Sequence, residues 1–276
     1  MRTSLRCFWL SVLASILAAG SAHAGDDWNR RGFPRGPIFD IAHFDVIPAT
    51  QGGVDFQQTA YKALFKFRDA SKSDRGLESF RVVNWVLASN HSQIIDVWKS
   101  LDAFEAHLAQ PHSVDFRFAV QVQPPPPPPA FACCIGSPID DRQYSLVRSF
   151  NTPWVSNRLP TIVGDASKAL FVVTYIDFLV DGDPGKGEDE LVRYGAATAK
   201  AKGQLSFSVL QQLDRPNRFV ALEAWAGESD YLAWQNNKKT ADFVTKVTPL
   251  LGSPLDHRLN SLCGKTFVDG TGCVPP

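Results

Sequence analysis

The sequence predicts an α+β fold: two consecutive βαββαβ units of ferredoxin-like order whose sheets bury each other within one chain. Three observations predict it. The chain repeats itself at offsets of 116 to 132 residues. Each copy carries strand-like and helix-like hydrophobic periods in the order strand, helix, hairpin, helix, strand. Helices cover only one face of each sheet, so the other copy must cover the second.

The duplication is clearest near the C-terminus, where GSPLDHRLNSL (252–262) matches GSPIDDRQYSL (136–146) at seven of eleven positions. At an offset of 127, Gly76-Leu-Glu-Ser-Phe80 matches Gly203-Gln-Leu-Ser-Phe207, Trp98 matches Trp225, and Phe104 matches Tyr231. At 132, Phe39 and Asp45 match Phe171 and Asp177. The drift assigns repeat 1 five extra residues near its first helix and eleven before its GSP segment, the latter containing Pro124 to Pro129.

The first strands are read at Ile38–Val46 and Leu170–Phe178. The helix Val54–Lys72 carries Phe56, Ala60, Leu64 and Phe67 at helical spacing, with a shorter counterpart at Glu188–Lys202. Hairpins follow at Phe80–Leu87 with Gln93–Trp98 and at Phe207–Leu213 with Arg218–Trp225, turning at Asn90 and at Arg215-Pro216-Asn217. A second helix covers Leu101–Leu108 or Ser229–Trp234, and the GSP segment enters a fourth strand, pinned by Asp140 with Arg142 and Asp256 with Arg258.

Arg2 and Arg6, the apolar run from Cys7 to Gly20 and the Ala22-His23-Ala24 site form a secretory signal pattern, so a periplasmic or secreted mature chain is expected. The organisation is a leader over 1–24, repeat 1 over 36–148 with a Pro-rich insertion at 123–135, a linker over 149–167, repeat 2 over 168–263 and a tail over 264–276. Cleavage turns a balance of 28 basic and 28 acidic residues into −2, leaving no basic excess for nucleic acid. No later segment has 18 continuous apolar residues, so no membrane association is expected after cleavage.

Asp96-Val-Trp98, Phe104, Ala106-His107-Leu108 and Pro111-His112 together resemble the antibiotic biosynthesis monooxygenase (ABM) family. Repeat 2 keeps Glu223-Ala-Trp225 and Tyr231 but has Trp234 in place of His107. The resemblance implies an intramolecular version of the dimeric α/β barrel. It also implies a cofactor-independent monooxygenase using O₂ on a quinol, anthrone or other phenol. The family's haem-degrading branch would place its ligand histidine at about Arg117 or Val244, neither of which can serve. A non-catalytic binding module for a small aromatic ligand and a filled structural pseudo-dimer remain open.

The resemblance places the pocket between sheet and helices. The catalytic candidates are His107, His43, Asp45 and Asn84, with histidine as the group able to take a proton near neutrality. Trp98, His112, Tyr175, Trp225 and Trp234 are the substrate-binding candidates, although both strand-end tryptophans also suit a core. His91, in a hairpin turn, is expected in solvent. No histidine–carboxylate group has metal-ligand spacing along the chain, so neither metal nor cofactor is expected. Histidine at 43 and 107, against Tyr175 and Trp234, assigns any chemistry to repeat 1.

Four cysteines follow the leader: Cys133, Cys134, Cys263 and Cys273. In an oxidising compartment a staple from Cys134 to Cys263 is expected if the fourth strands meet, with a local Cys263–Cys273 bridge as the alternative. Because the copies cover each other, a monomer is expected.

Overall fold

The computed structural model describes residues 36–47, 54–88, 90–120, 139–151, 169–262, 267–268 and 272–273. Repeat 1 contains β1 (Ile38–Asp45), α1 (Val54–Ser71), β2 (Leu77–Trp85), β3 (His91–Trp98), α2 (Leu101–Leu108), α3 (Pro111–Val120) and β4 (Asp140–Asn151). Repeat 2 contains β5 (Leu170–Asp177), α4 (Pro184–Thr198), β6 (Gln204–Gln212), β7 (Arg218–Trp225), α5 (Glu228–Gln235), α6 (Lys238–Val247) and β8 (Asp256–Leu262).

The eight strands close into one antiparallel barrel in the order β1-β3-β2-β8-β5-β7-β6-β4. Within each repeat the first strand is central, flanked by the third and fourth. The outer strands then pair across repeats, β2 with β8 and β4 with β6. The two sheets thus cover each other by joining at both edges, which leaves no free strand edge among the eight.

Alternation along the strands separates two cores. Phe39, Ile41, Ile95 and Val97 point into the barrel, where they meet Phe171, Val173, Val220 and Leu222. Ala42, Phe44, Val82 and Ile94 point outward beneath Tyr61, Leu64 and Phe67 of α1 and Phe116 and Val120 of α3. Repeat 2 repeats the outer layer with Leu191, Tyr194, Phe207, Phe219 and Phe243. Each such side chain contributes roughly 1.5–3 kcal/mol when fully buried.

The repeated glycines of the GLESF and GQLSF motifs have a conformational reason. Gly76 and Gly203 have φ of +94° and +75°, and a Cβ there would stand 2.7 Å from that of Ala103 or 2.3 Å from the Asp230 carboxylate.

Three details differ from the sequence reading. Each repeat has two helices after its hairpin, because Pro111 starts α3 and Asn237 caps α6 through Lys239 N (3.0 Å). β4 runs on to Asn151, whose partner is Ser206, so 149–151 belong to the barrel rather than to a linker. Finally, β1, β3 and β2 separate β4 from β8 around the barrel, so the fourth strands do not meet. Cys133, Cys134 and Cys263 lie outside the described residues, as does the 1–24 leader. Cys273 is placed only by backbone pairing with Phe267, between β9 (Phe267–Val268) and β10 (Gly272–Cys273). Among the described residues no helix is long and apolar enough to cross a membrane.

Candidate functional site

In repeat 1 the space between the outer sheet face and the α2–α3 pair is a small polar cavity. Asp40, Asp96, His107, Arg117 and Asp141 line it, with Phe67, Phe104 and Phe116 as its apolar wall. Its volume is about 30 Å³, enough for a water molecule and far below the ~300 Å³ of a typical ligand site.

His107 ends α2 and is 2% exposed. Its ring stacks on Trp98 at 4.4 Å, and its Nδ1 lies 2.5 Å from Oδ2 of Asp74, in the turn between α1 and β2. That contact fixes which ring nitrogen carries the proton and leaves Nε2 as the acceptor of a neutral imidazole. Burial holds the His107 imidazole below the usual histidine value, with the Asp74 carboxylate pulling the other way. The same Asp74 oxygen is 2.9 Å from His112 Nε2 in the first turn of α3. Ser113 donates through Oγ to the His107 carbonyl (2.7 Å).

The carboxyl groups beneath are held in an unusual state. Asp40 and Asp96 are both buried, and burial pushes each well above the carboxylate range. Asp40 is raised further by Asp141 and Asp96, while Gln143 Nε2 donates to it at 2.9 Å. Asp96 Oδ1 is buried without a hydrogen-bond partner. Arg117 Nη2 closes the cavity from α3 through a 2.5 Å ion pair with Asp141 on β4.

Repeat 2 holds a 20 Å³ counterpart whose lining includes Tyr194, Glu223, Phe243 and His257. Trp225 Nε1 donates to Glu223 Oε2 at 2.9 Å. In repeat 1 the Trp98 indole makes no hydrogen bond of full geometry, yet its N–H still pulls the Asp96 carboxyl down against the effect of burial. Trp234 donates to Tyr194 Oη at 2.9 Å, and Tyr194 stacks on Phe243 at 4.2 Å. Trp225 and Trp234 therefore fill repeat 2 rather than line an open site.

The structure divides the candidates that the sequence grouped together. His107, Trp98 and His112 meet around Asp74. His43 and Asp45 face the barrel mouth, because strand alternation aims Asp40 and Ala42 at the helices instead. His91, expected in solvent, begins β3 half-buried and hydrogen-bonds Asp45. Asn84 donates to Tyr61 Oη at 2.6 Å and accepts from Ser92 Oγ at 3.3 Å, a sealed triangle away from the cavity. Tyr175 lies inside the barrel, with Arg258 and Arg142 at 4.7 and 5.8 Å from its ring centre. Those arginines pair with Asp256 and Asp140 as expected. Sequence reading missed Asp74, Asp40, Asp141 and Arg117. Only Asp96 carried a signal, as the acid two residues before tryptophan.

Fold and site together define an internally duplicated dimeric α/β barrel with a water-sized cavity in each copy. The model of the antibiotic biosynthesis monooxygenase family matches twice, at residues 55–117 and 180–246. Both repeats are matched, and the chain is a tandem ABM-domain protein. Among solved structures it is similar to an inferred monooxygenase of Fusobacterium nucleatum (12% identity, TM-score 0.64, covering 86% of this chain and 96% of that one). Another is an inferred monooxygenase of Lactobacillus acidophilus (13%, 0.58, 87% and 98%). A third is an anthrone oxidase-like protein (15%, 0.59, 83% and 92%). Identities this low carry the fold alone. No curated protein matches the chain.

Proposed function

We propose that this protein is a periplasmic or secreted monooxygenase that oxidises a phenol-type substrate, an anthrone or quinol, with O₂ and without a cofactor, in repeat 1. The observation that carries the reading is the Asp74–His107 pair at a cavity floored by buried carboxyl groups. The anthrone oxidase-like neighbour and the ABM domains support it. His107 Nε2 takes the acidic proton of the substrate, and Asp74 steadies the imidazolium that forms. The substrate anion reduces O₂ itself, a C–O bond forms, and the O–O bond breaks as water leaves. For an anthrone the balance is R₂CH₂ + O₂ → R₂C=O + H₂O, the substrate supplying all four electrons. Neutral Asp40 or Asp96 stands where a proton is needed by the departing oxygen. A ring enters only after α3 lifts, and the Arg117–Asp141 ion pair is the contact that must open.

The water-sized cavities favour the second reading, a filled pseudo-dimer without turnover. An oxygen electrode decides between them. Mature protein with a panel of anthrones and quinols should consume one O₂ per ketone formed. Absence of enzyme-dependent uptake across the panel removes the monooxygenase reading.

A further inference from the structure

We propose that His43, Asp45 and His91 form a binding site for one divalent transition-metal ion at the mouth of the barrel, separate from the His107 cavity. His43 and Asp45 are two apart on β1, so both side chains leave the same face of the strand. His91 on β3 is the direct cross-strand partner of Asp45. Two residues of one strand and one of its neighbour therefore converge, and paired backbone fixes their spacing before any ion arrives.

The donor atoms fit. His43 Nε2, His91 Nδ1 and an Asp45 oxygen all lie within 4.8 Å of one another, and His43 Nε2 is 3.6 Å from Asp45 Oδ1. A tetrahedral ion with bonds of about 2.0–2.1 Å spaces its donors by roughly 3.3 Å. The two imidazoles stand stacked, 6.0 Å apart and parallel within 7°, so one ring turns on binding to bring its in-plane lone pair onto the ion, while Trp85 braces His91 edge-on at 5.2 Å. Side-chain exposures of 21%, 33% and 30% leave a side for entry and for further ligands. Two imidazoles with one carboxylate suit Zn²⁺, Cu²⁺ or Fe²⁺ rather than Ca²⁺ or Mg²⁺. On binding, the ion replaces the proton in the His91–Asp45 hydrogen bond.

Repeat 2 supplies an internal control. Its equivalent positions are Tyr175, Asp177 and Arg218, and Arg218 Nε pairs with Asp177 at 3.4 Å. One arginine suffices to neutralise that aspartate. In repeat 1 His43 stands in place of Tyr175 and His91 in place of that arginine, and two histidines beside one aspartate are the donor set of a metal site.

The Asp74–His107–His112 group is the rival position within the chain. There His107 is 2% and Asp74 11% exposed, against 21–33% for the three residues at the barrel mouth, so the mouth is the more open of the two to an entering ion.

The test is Zn²⁺ titration of tag-free mature protein against a chromophoric chelator, with Co²⁺ absorption reporting the ligand field. One equivalent should bind. His43→Ala, His91→Ala and Asp45→Asn should each weaken it by on the order of 10–100-fold, and Asp45→Asn keeps an acceptor for His91, so the fold is retained. Asp177→Asn should change nothing. Uptake indifferent to the three substitutions, uptake lost on His112→Ala instead, or no uptake at micromolar Zn²⁺ overturns the proposal.

Discussion

His107 Nδ1 lies 2.5 Å from Oδ2 of Asp74, a residue 33 positions earlier in a turn with no catalytic signature of its own. The pair sets the tautomer and orientation of the one histidine that reaches the repeat 1 cavity. If it is the base, His107→Ala should lower oxygen uptake by roughly 10²–10⁴ in the protein that folds, with a loss of stability as well, since the ring is buried, stacked on Trp98 and bonded to Asp74. Asp74→Asn should cost about as much by holding the wrong tautomer. Burial lowers the His107 pKa, so kcat/KM should fall only below about pH 6.5, as the imidazole gains a proton. An oxygen electrode and a pH profile check all three. Full activity in His107→Ala, with loss in His257→Ala, would move the chemistry to the other copy.

Trp234 should matter to stability and not to turnover. Its indole is 7% exposed and holds Tyr194 through its N–H. Truncation to alanine should cost about 3–5 kcal/mol in urea unfolding. The repeat 1 cavity contains no atom of that residue, so oxygen uptake by the folded variant should match wild type.

Glu223 makes stability pH-dependent with a known sign. Burial pushes it up to about 7 from 4.5, although Trp225 stabilises the carboxylate through its indole N–H. The folded chain therefore holds a proton that the unfolded chain loses first. The contribution of Glu223 to stability is fully present below about pH 4.5 and is lost as pH rises through 7. Glu223→Gln, which still accepts from Trp225, should gain on wild type by about 2–4 kcal/mol between pH 4 and pH 8. Denaturant melts at the two pH values measure it, and an unchanged difference would show that Glu223 titrates alike in the folded and unfolded chain.

The barrel closes within one chain, so the mature protein should be a monomer across the micromolar range. Light scattering should return the mass of one chain, and a dimer that persists on dilution would show a further interface outside the eight strands.

The duplication and the element order were legible in the sequence alone. Period-two and period-3.6 patterns, together with repeated motifs such as Gly76 and Gly203, are local demands of backbone geometry. A chain must write such demands into neighbouring residues. Tertiary structure decided the rest. Spacing along the chain gave no reason to join Asp74 to His107 and His112, since their meeting depends on how the turn after α1 packs against α2 and α3. Likewise, His91 joins His43 and Asp45 only through the β1–β3 register, across 46 residues of sequence. The face that each strand turns to the helices was also settled by closure. Joining β2 to β8 and β4 to β6 made one face the inside of a barrel, which sent Asp40 and Asp96 to the cavity and His43 to the mouth. Sites assembled from distant segments are fixed by packing and register, and those are properties of the closed barrel rather than of any single stretch of chain.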